Sequence, residues 1–172
     1  MMFCPYCGSK VQPSMEASES IGQEQVEGAI PLAVRKDGDE EGRIFTLVIT
    51  GSLIIFARTT EEDLSRIGKA SETILMGGAI LDPERHRKTL GSYSRRYLSM
   101  EPTSVVEESA ENIYMKTADV TAIRISSEED AEGDQFYLLA FETKAGPRKY
   151  LIPSDKDSRD LLISTFGQKV HW

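Results

Sequence analysis

Apolar and polar positions along this chain follow two periods, and the switch between them sets the order of its elements. Three runs rich in Ile, Val, Phe and Thr come first: Ile30-Pro31-Leu32-Ala33-Val34, then Ile44 to Thr50, then Leu53 to Arg58. The acidic turn from Asp37 to Gly42 separates the first two, and Gly51-Ser52 folds the last two into a hairpin. From Thr59 the period becomes helical. Thr59 and Glu62 form a capping box, and Leu64, Ile67, Ala70 and Ile74 recur on one face until Gly77-Gly78. Asp82-Pro83 starts a second helix that runs to about Ser99, and a short third helix follows Pro102 through Val105 and Val106.

The strand pattern then returns in Asn112 to Lys116, Val120 to Ile125, Gln135 to Thr143 and Arg148 to Ile152, with turns at Glu132-Gly133-Asp134 and Ala145-Gly146-Pro147. Ser154 caps a closing helix, with Asp157 three residues later, and Leu162, Phe166 and Val170 line one of its faces. The expectation is an α+β domain: an antiparallel sheet of about seven strands, a helical insertion after the third strand over about residues 60–110, and a helix at the end.

Before Ala29 the pattern fails. Residues 12–28 hold four glutamates, no Lys or Arg and no sustained apolar period, which reads as an acidic flexible linker. The expected organisation is therefore an N-terminal appendage over 1–11, the linker over 12–28 and the domain over 29–172. A chain of 172 residues with 40% hydrophobic residues can bury one substantial core.

The hairpin segment from Phe45 to Ala57, with its turn at Gly51-Ser52-Leu53, is similar to a hairpin of the pleckstrin-homology-like (PH-like) fold in its prokaryotic and GRAM-related versions. The stretch from Tyr97 to Pro102, and on through Asn112-Ile113-Tyr114 to Ile123, resembles uncharacterised archaeal proteins that join a zinc ribbon to such a domain. The resemblance spans roughly residues 29–170. It implies a curved sheet plugged at one end by the closing helix, and binding of lipid headgroups, peptides or proteins without a catalytic motif.

The appendage carries the sharpest chemistry. Phe3-Cys4-Pro5-Tyr6-Cys7-Gly8 looks like a zinc knuckle, in which Cys4 and Cys7 offer two thiolates to a tetrahedral metal. A structural zinc takes four ligands, and the chain has only two cysteines. Three completions follow: a second copy of the chain, another protein, or His86 and His171. Two other readings stand beside these: a degenerate knuckle that binds nothing, and a redox Cys-Pro-Tyr-Cys, which lacks a preceding strand and a βαβ context.

The second expected helix brings Arg85, Lys88, Arg95 and Arg96 within about a third of its circumference, with Leu90, Tyr93 and Tyr97 on another flank. The stripe could meet anionic lipid, nucleic acid or an acidic partner. The blander alternative is pairing within the chain, to Glu61, Glu62, Asp63 or the Glu128-Glu129-Asp130 loop.

Charge narrows the field. The count of 20 Lys+Arg against 28 Asp+Glu gives −8, which repels nucleic-acid backbones. The most apolar stretch, Phe45 to Ala57, is too short and too interrupted to span a bilayer, and Met1-Met2-Phe3 lacks the features of a secretory signal, so a cytoplasmic location is expected. No Gly-rich phosphate loop, H-E-x-x-H or G-x-S-x-G occurs. The expectation is a non-enzymatic adaptor that pairs through zinc and engages a protein or peptide, with peripheral membrane binding through the basic stripe and the apolar stretch Ile74 to Leu81 as the alternative, and a nucleic-acid-associated zinc ribbon as the weaker one.

Overall fold

The computed structural model describes residues 2–3, 10–11, 24–69, 91–129 and 133–172; side chains are described over 24–65, 91–129 and 133–172. It is an α+β fold. Two short strands, β1 (Met2–Phe3) and β2 (Lys10–Val11), form an antiparallel pair of their own. The remaining strands are β3 (Val26–Arg35), β4 (Ile44–Thr50), β5 (Leu53–Arg58), β6 (Ile113–Lys116), β7 (Val120–Glu129), β8 (Gln135–Thr143), β9 (Arg148–Pro153) and β10 (Val170–His171). They make one sheet in the order β10-β7-β8-β9-β3-β4-β5-β6. The helices are α1 (Glu61–Lys69) and α2 (Pro102–Glu107), both between β5 and β6 with residues 91–95 helical between them, and α3 (Lys156–Phe166), after β9.

The hairpin β4–β5 is the centre of the fold because its apolar run serves two cores. Phe45, Leu47, Ile49, Ile54 and Phe56 point to the main core, with Ile123, Leu139, Phe141, Tyr150, Leu162 and Phe166. Val48, Leu53, Ile55 and Ala57 face the other way, under Tyr97, Val105 and Val106 from the insertion. A strand covered on both faces gains from apolar residues at consecutive positions, so the run is unbroken rather than alternating.

The sheet bends across its core face. In a flat sheet β5 and β8 would lie about 19 Å apart, four strand spacings. Instead the rings of Phe56 and Phe141 meet edge to face at 6.1 Å, and Phe56 stacks on Tyr150 of β9 at 4.8 Å. The bend runs through β3, which pairs with β4 along most of its length and with β9 at Val34 and Arg35. Register shifts interrupt β3 between Val26 and Gly28 and between Ile30 and Ala33, and Leu32 has φ 54°; such bulges bend a strand. At Gly28 a Cβ would sit 2.5 Å from the Leu161 side chain of α3, so glycine lets the helix close onto the sheet.

Several details differ from the sequence reading. The sheet has eight strands, not about seven, because Val170 belongs to β10, paired in parallel with Ile123 of β7, and not to the closing helix. Helix α3 stops at Phe166 because Gly167 turns out at φ 52°, a conformation that glycine adopts readily. The capping box is shifted by one residue. Thr60 Oγ1 accepts from the Asp63 N–H at 3.1 Å while the Asp63 carboxylate accepts from Thr60 N–H at 3.0 Å. Thr59 is buried, its N–H spent on Ile44 O and its hydroxyl 3.4 Å from that of Thr46. At α3 the cap is Asp155, accepting from Ser158 N–H at 2.7 Å, while Ser154 donates to Gln135 O.

Strand β3 begins at Val26, inside the stretch read as linker, and Glu24 is already anchored. Its carboxylate accepts from the Thr50 hydroxyl at 2.7 Å and from Ser52 N–H at 3.2 Å, fixing the chain to the β4–β5 turn. Burial pushes this carboxyl up, but the hydrogen bonds from Thr50 and Ser52 outweigh it and hold the group below its ordinary 4.5. A carboxyl lowered in the fold adds stability above its unfolded value and loses it as pH falls through the folded value. In urea titrations Glu24→Gln should therefore narrow the gap between the midpoint at neutral pH and the midpoint in acid below that value. An unchanged gap would show the anchor to be energetically idle.

Candidate functional site

Two regions bear on function. The first is the N-terminal hairpin. Met2 pairs with Val11 and Phe3 with Lys10, so six residues, 4–9, join two antiparallel strands, and the C-x-x-C falls within that connection. Cys4 and Cys7 themselves lie outside the described residues. Of the histidines weighed as zinc ligands, His86 lies outside them too, and His171 is exposed in β10, in register with Arg124. Among the described residues no group of three or more His, Cys, Asp and Glu side chains is arranged to hold a metal.

The second region is the base of the helical insertion. Arg85 and Lys88 lie outside the described residues, as does the apolar stretch Ile74 to Leu81. Residues 91–95 are helical and pass into a 3-10 turn at Arg96–Ser99, so the helix expected to reach Ser99 tightens at Arg96. Arg95 is exposed. Arg96, read with Arg95 as part of one partner-binding stripe, packs against its own neighbours while its side chain stays partly exposed. Its guanidinium lies 4.8 Å from the Tyr93 ring centre and 4.5 Å from that of Tyr97, donates to the Tyr97 hydroxyl at 2.6 Å and pairs with Glu108 at 2.8 Å.

Pairing within the chain was the alternative for the basic stripe, with Glu61, Glu62, Asp63 or the Glu128-Glu129-Asp130 loop as partners; for Arg96 the ion pair is with Glu108, and of the acids named Asp63 feels its charge. Asp63 contributes from α1: it accepts from the Tyr93 hydroxyl and feels the Arg96 charge. Burial raises the Asp63 carboxyl, and the Thr60 and Tyr93 hydrogen bonds with Arg96 bring it below its ordinary range. Burial pushes both Tyr93 and Tyr97 above the ordinary tyrosine value, so both rings stay neutral around neutral pH. The cluster thus ties α1, the 91–95 helix and the start of the turn after α2 into one block on the outer face of β4 and β5. Its cation is held by two rings and a carboxylate, an arrangement that stiffens a platform.

Nothing local in the sequence announced Glu108. It lies 12 residues from Arg96 with the Pro102 helix start between them, so no helical period relates them. A buried polar group that joins the insertion to the sheet is Asn112, with Nδ2 donating to Val105 O of α2 at 2.7 Å and Oδ1 accepting from Arg58 N–H of β5 at 2.7 Å. A third cluster braces the β3–β4 loop. Arg35 donates to Asp37 and, at 2.7 Å, to the Tyr150 hydroxyl, and Asp37 accepts from Lys149 N–H at 2.9 Å. Burial pushes Tyr150 up to about 12.

No helix among the described residues is long and apolar enough to cross a membrane. No protein-family model matches the chain, and no curated protein matches it. Among solved structures it is similar to the crystal structure of the C-terminal domain of an unknown protein from Leishmania infantum. That similarity has 10% identity over 88% of this chain and 92% of the other, with a TM-score of 0.47.

Proposed function

We propose that this chain is a non-catalytic adaptor: a PH-like domain that engages a protein or peptide, with an N-terminal knuckle whose Cys4 and Cys7 hold zinc shared between two chains. The observation that carries the zinc half is the β1–β2 pairing. Antiparallel strands on either side of a C-x-x-C bring the ends of the connection together, which favours two thiolates converging on one ion. Two thiolates fit half of a tetrahedral set, and a second chain supplies the same half again.

The PH-like half is supported by the order of strands. Setting β1, β2 and β10 aside, the sheet runs fifth, sixth, seventh, first, second, third, fourth, and the closing helix buries Leu162 and Phe166 in the core. Membrane binding through the basic stripe is less favoured, because Arg96 spends its charge on Glu108 and the tyrosines.

Metal analysis of protein purified without added zinc tests the reading. The expected content is about one zinc per two chains, lost in Cys4→Ser/Cys7→Ser. Metal-free protein, or one zinc per chain, would overturn the shared site.

A further inference from the structure

The outward face of the sheet bears an apolar band that belongs to neither core. Register alone defines it. Leu138 of β8 lies opposite Leu151 of β9, Leu151 opposite Val34 of β3, and Val34 opposite Ile44 of β4. Directly opposed residues share a face, so these four form one row across four strands, about 14 Å end to end. The neighbouring row sets Phe136 beside Pro153. All six are half-buried, and none of them is part of the two core clusters, whose residues occupy the opposite face or lie under the insertion.

Charge flanks the band unevenly. On one side the next row holds Arg124, Ala140 and Lys149, with exposed Lys36 beside Lys149. On the other side, exposed Glu128 stands opposite Phe136. A two-fold axis running along the apolar row turns one face onto another so that the Arg124 row of each copy lies over the Glu128 row of the other. The surface is thus complementary to itself.

We infer that this face is the interface of a homodimer, apolar row on apolar row, with Arg124 of each copy, which already holds its own Glu142, meeting Glu128 of the second. Two-fold packing of two sheets buries the band and closes the assembly without leaving a free face. The interface goes beyond the zinc reading and does not need it. It also helps it: residues 12–23 span at most about 40 Å, so a dimer formed by the sheets turns zinc sharing into an encounter within one assembly.

Light scattering and sedimentation of the full chain, up to about 100 µM, where even a micromolar homodimer is populated, separate the two ideas. Cys4→Ser/Cys7→Ser should keep the mass of two chains. Leu138→Glu should weaken dimerisation at least tenfold. Glu128→Arg, which sets like charges across the axis, should weaken it as well, and Arg124→Glu added to it should restore the dimer. A single-chain mass for the cysteine variant overturns the sheet interface and leaves shared zinc standing. A Leu138→Glu protein that is still folded by circular dichroism and still dimeric overturns it too. A zinc-free wild-type dimer sensitive to Leu138→Glu supports the interface and counts against the shared metal.

Discussion

Phe56→Ala should lower the stability of the domain by about 3–5 kcal/mol, the range for deleting a fully buried aromatic ring. Phe56 has no exposed surface and touches three other buried rings: Phe45 at 6.4 Å, Phe141 at 6.1 Å and Tyr150 at 4.8 Å. Those rings come from β4, β8 and β9, so the side chain joins strands on both sides of β3. The cavity left by alanine cannot collapse easily, because its walls sit on strands fixed by their ladders. Phe56→Leu keeps most of the volume and should cost appreciably less. Chemical denaturation with a common slope for all three proteins decides the matter. A loss below about 1 kcal/mol for alanine would mean that these strands are not held by this ring.

The second large effect is polar. Asn112→Leu removes the donor to Val105 O and the acceptor for Arg58 N–H while keeping a similar volume. Each buried backbone group left unsatisfied costs about 1–3 kcal/mol, so a total of about 2–6 kcal/mol is expected for the two. Asn112→Asp separates the two bonds: the carboxylate still accepts from Arg58 N–H but turns a charge toward Val105 O. It should recover part of the loss only where the carboxyl is protonated in acid. Hydrogen exchange gives the local readout. Amides of α2 and of β6 should lose protection before those of β7 and β8, since Asn112 closes the insertion back onto β5. Uniform loss across the sheet would contradict that local role.

Both residues show how unevenly the fold could be read from the sequence. The β4–β5 hairpin was legible because its signal is local: β-branched and aromatic residues up to a Gly-Ser turn, with pairing fixed by the turn. The limits of β8 agree with the pattern, and Leu162 and Phe166 face the core as the four-residue spacing required. The capping box slipped by one residue because both Thr59 and Thr60 satisfy the pattern. Only the ladder bond from Thr59 N–H to Ile44 O decides which of them is free to cap. Val170 continued the helical spacing on paper, and a glycine conformation three residues earlier redirected it into β10.

The candidate site divides along the same line. The sequence by itself determined the α+β class, the position of the central hairpin, the helical interruption after it and the pair of cysteines, because each depends on neighbours a few residues apart. Only the tertiary structure decided where Arg96 spends its charge, that Glu24 anchors the start of β3 and that Asn112 closes the insertion. It also decided that Ile44, Val34, Leu151 and Leu138 form one outward row. Those features join residues separated by 7 to over 100 positions. Their partners are set by strand order and by the bend in β3, and no period along the chain encodes either.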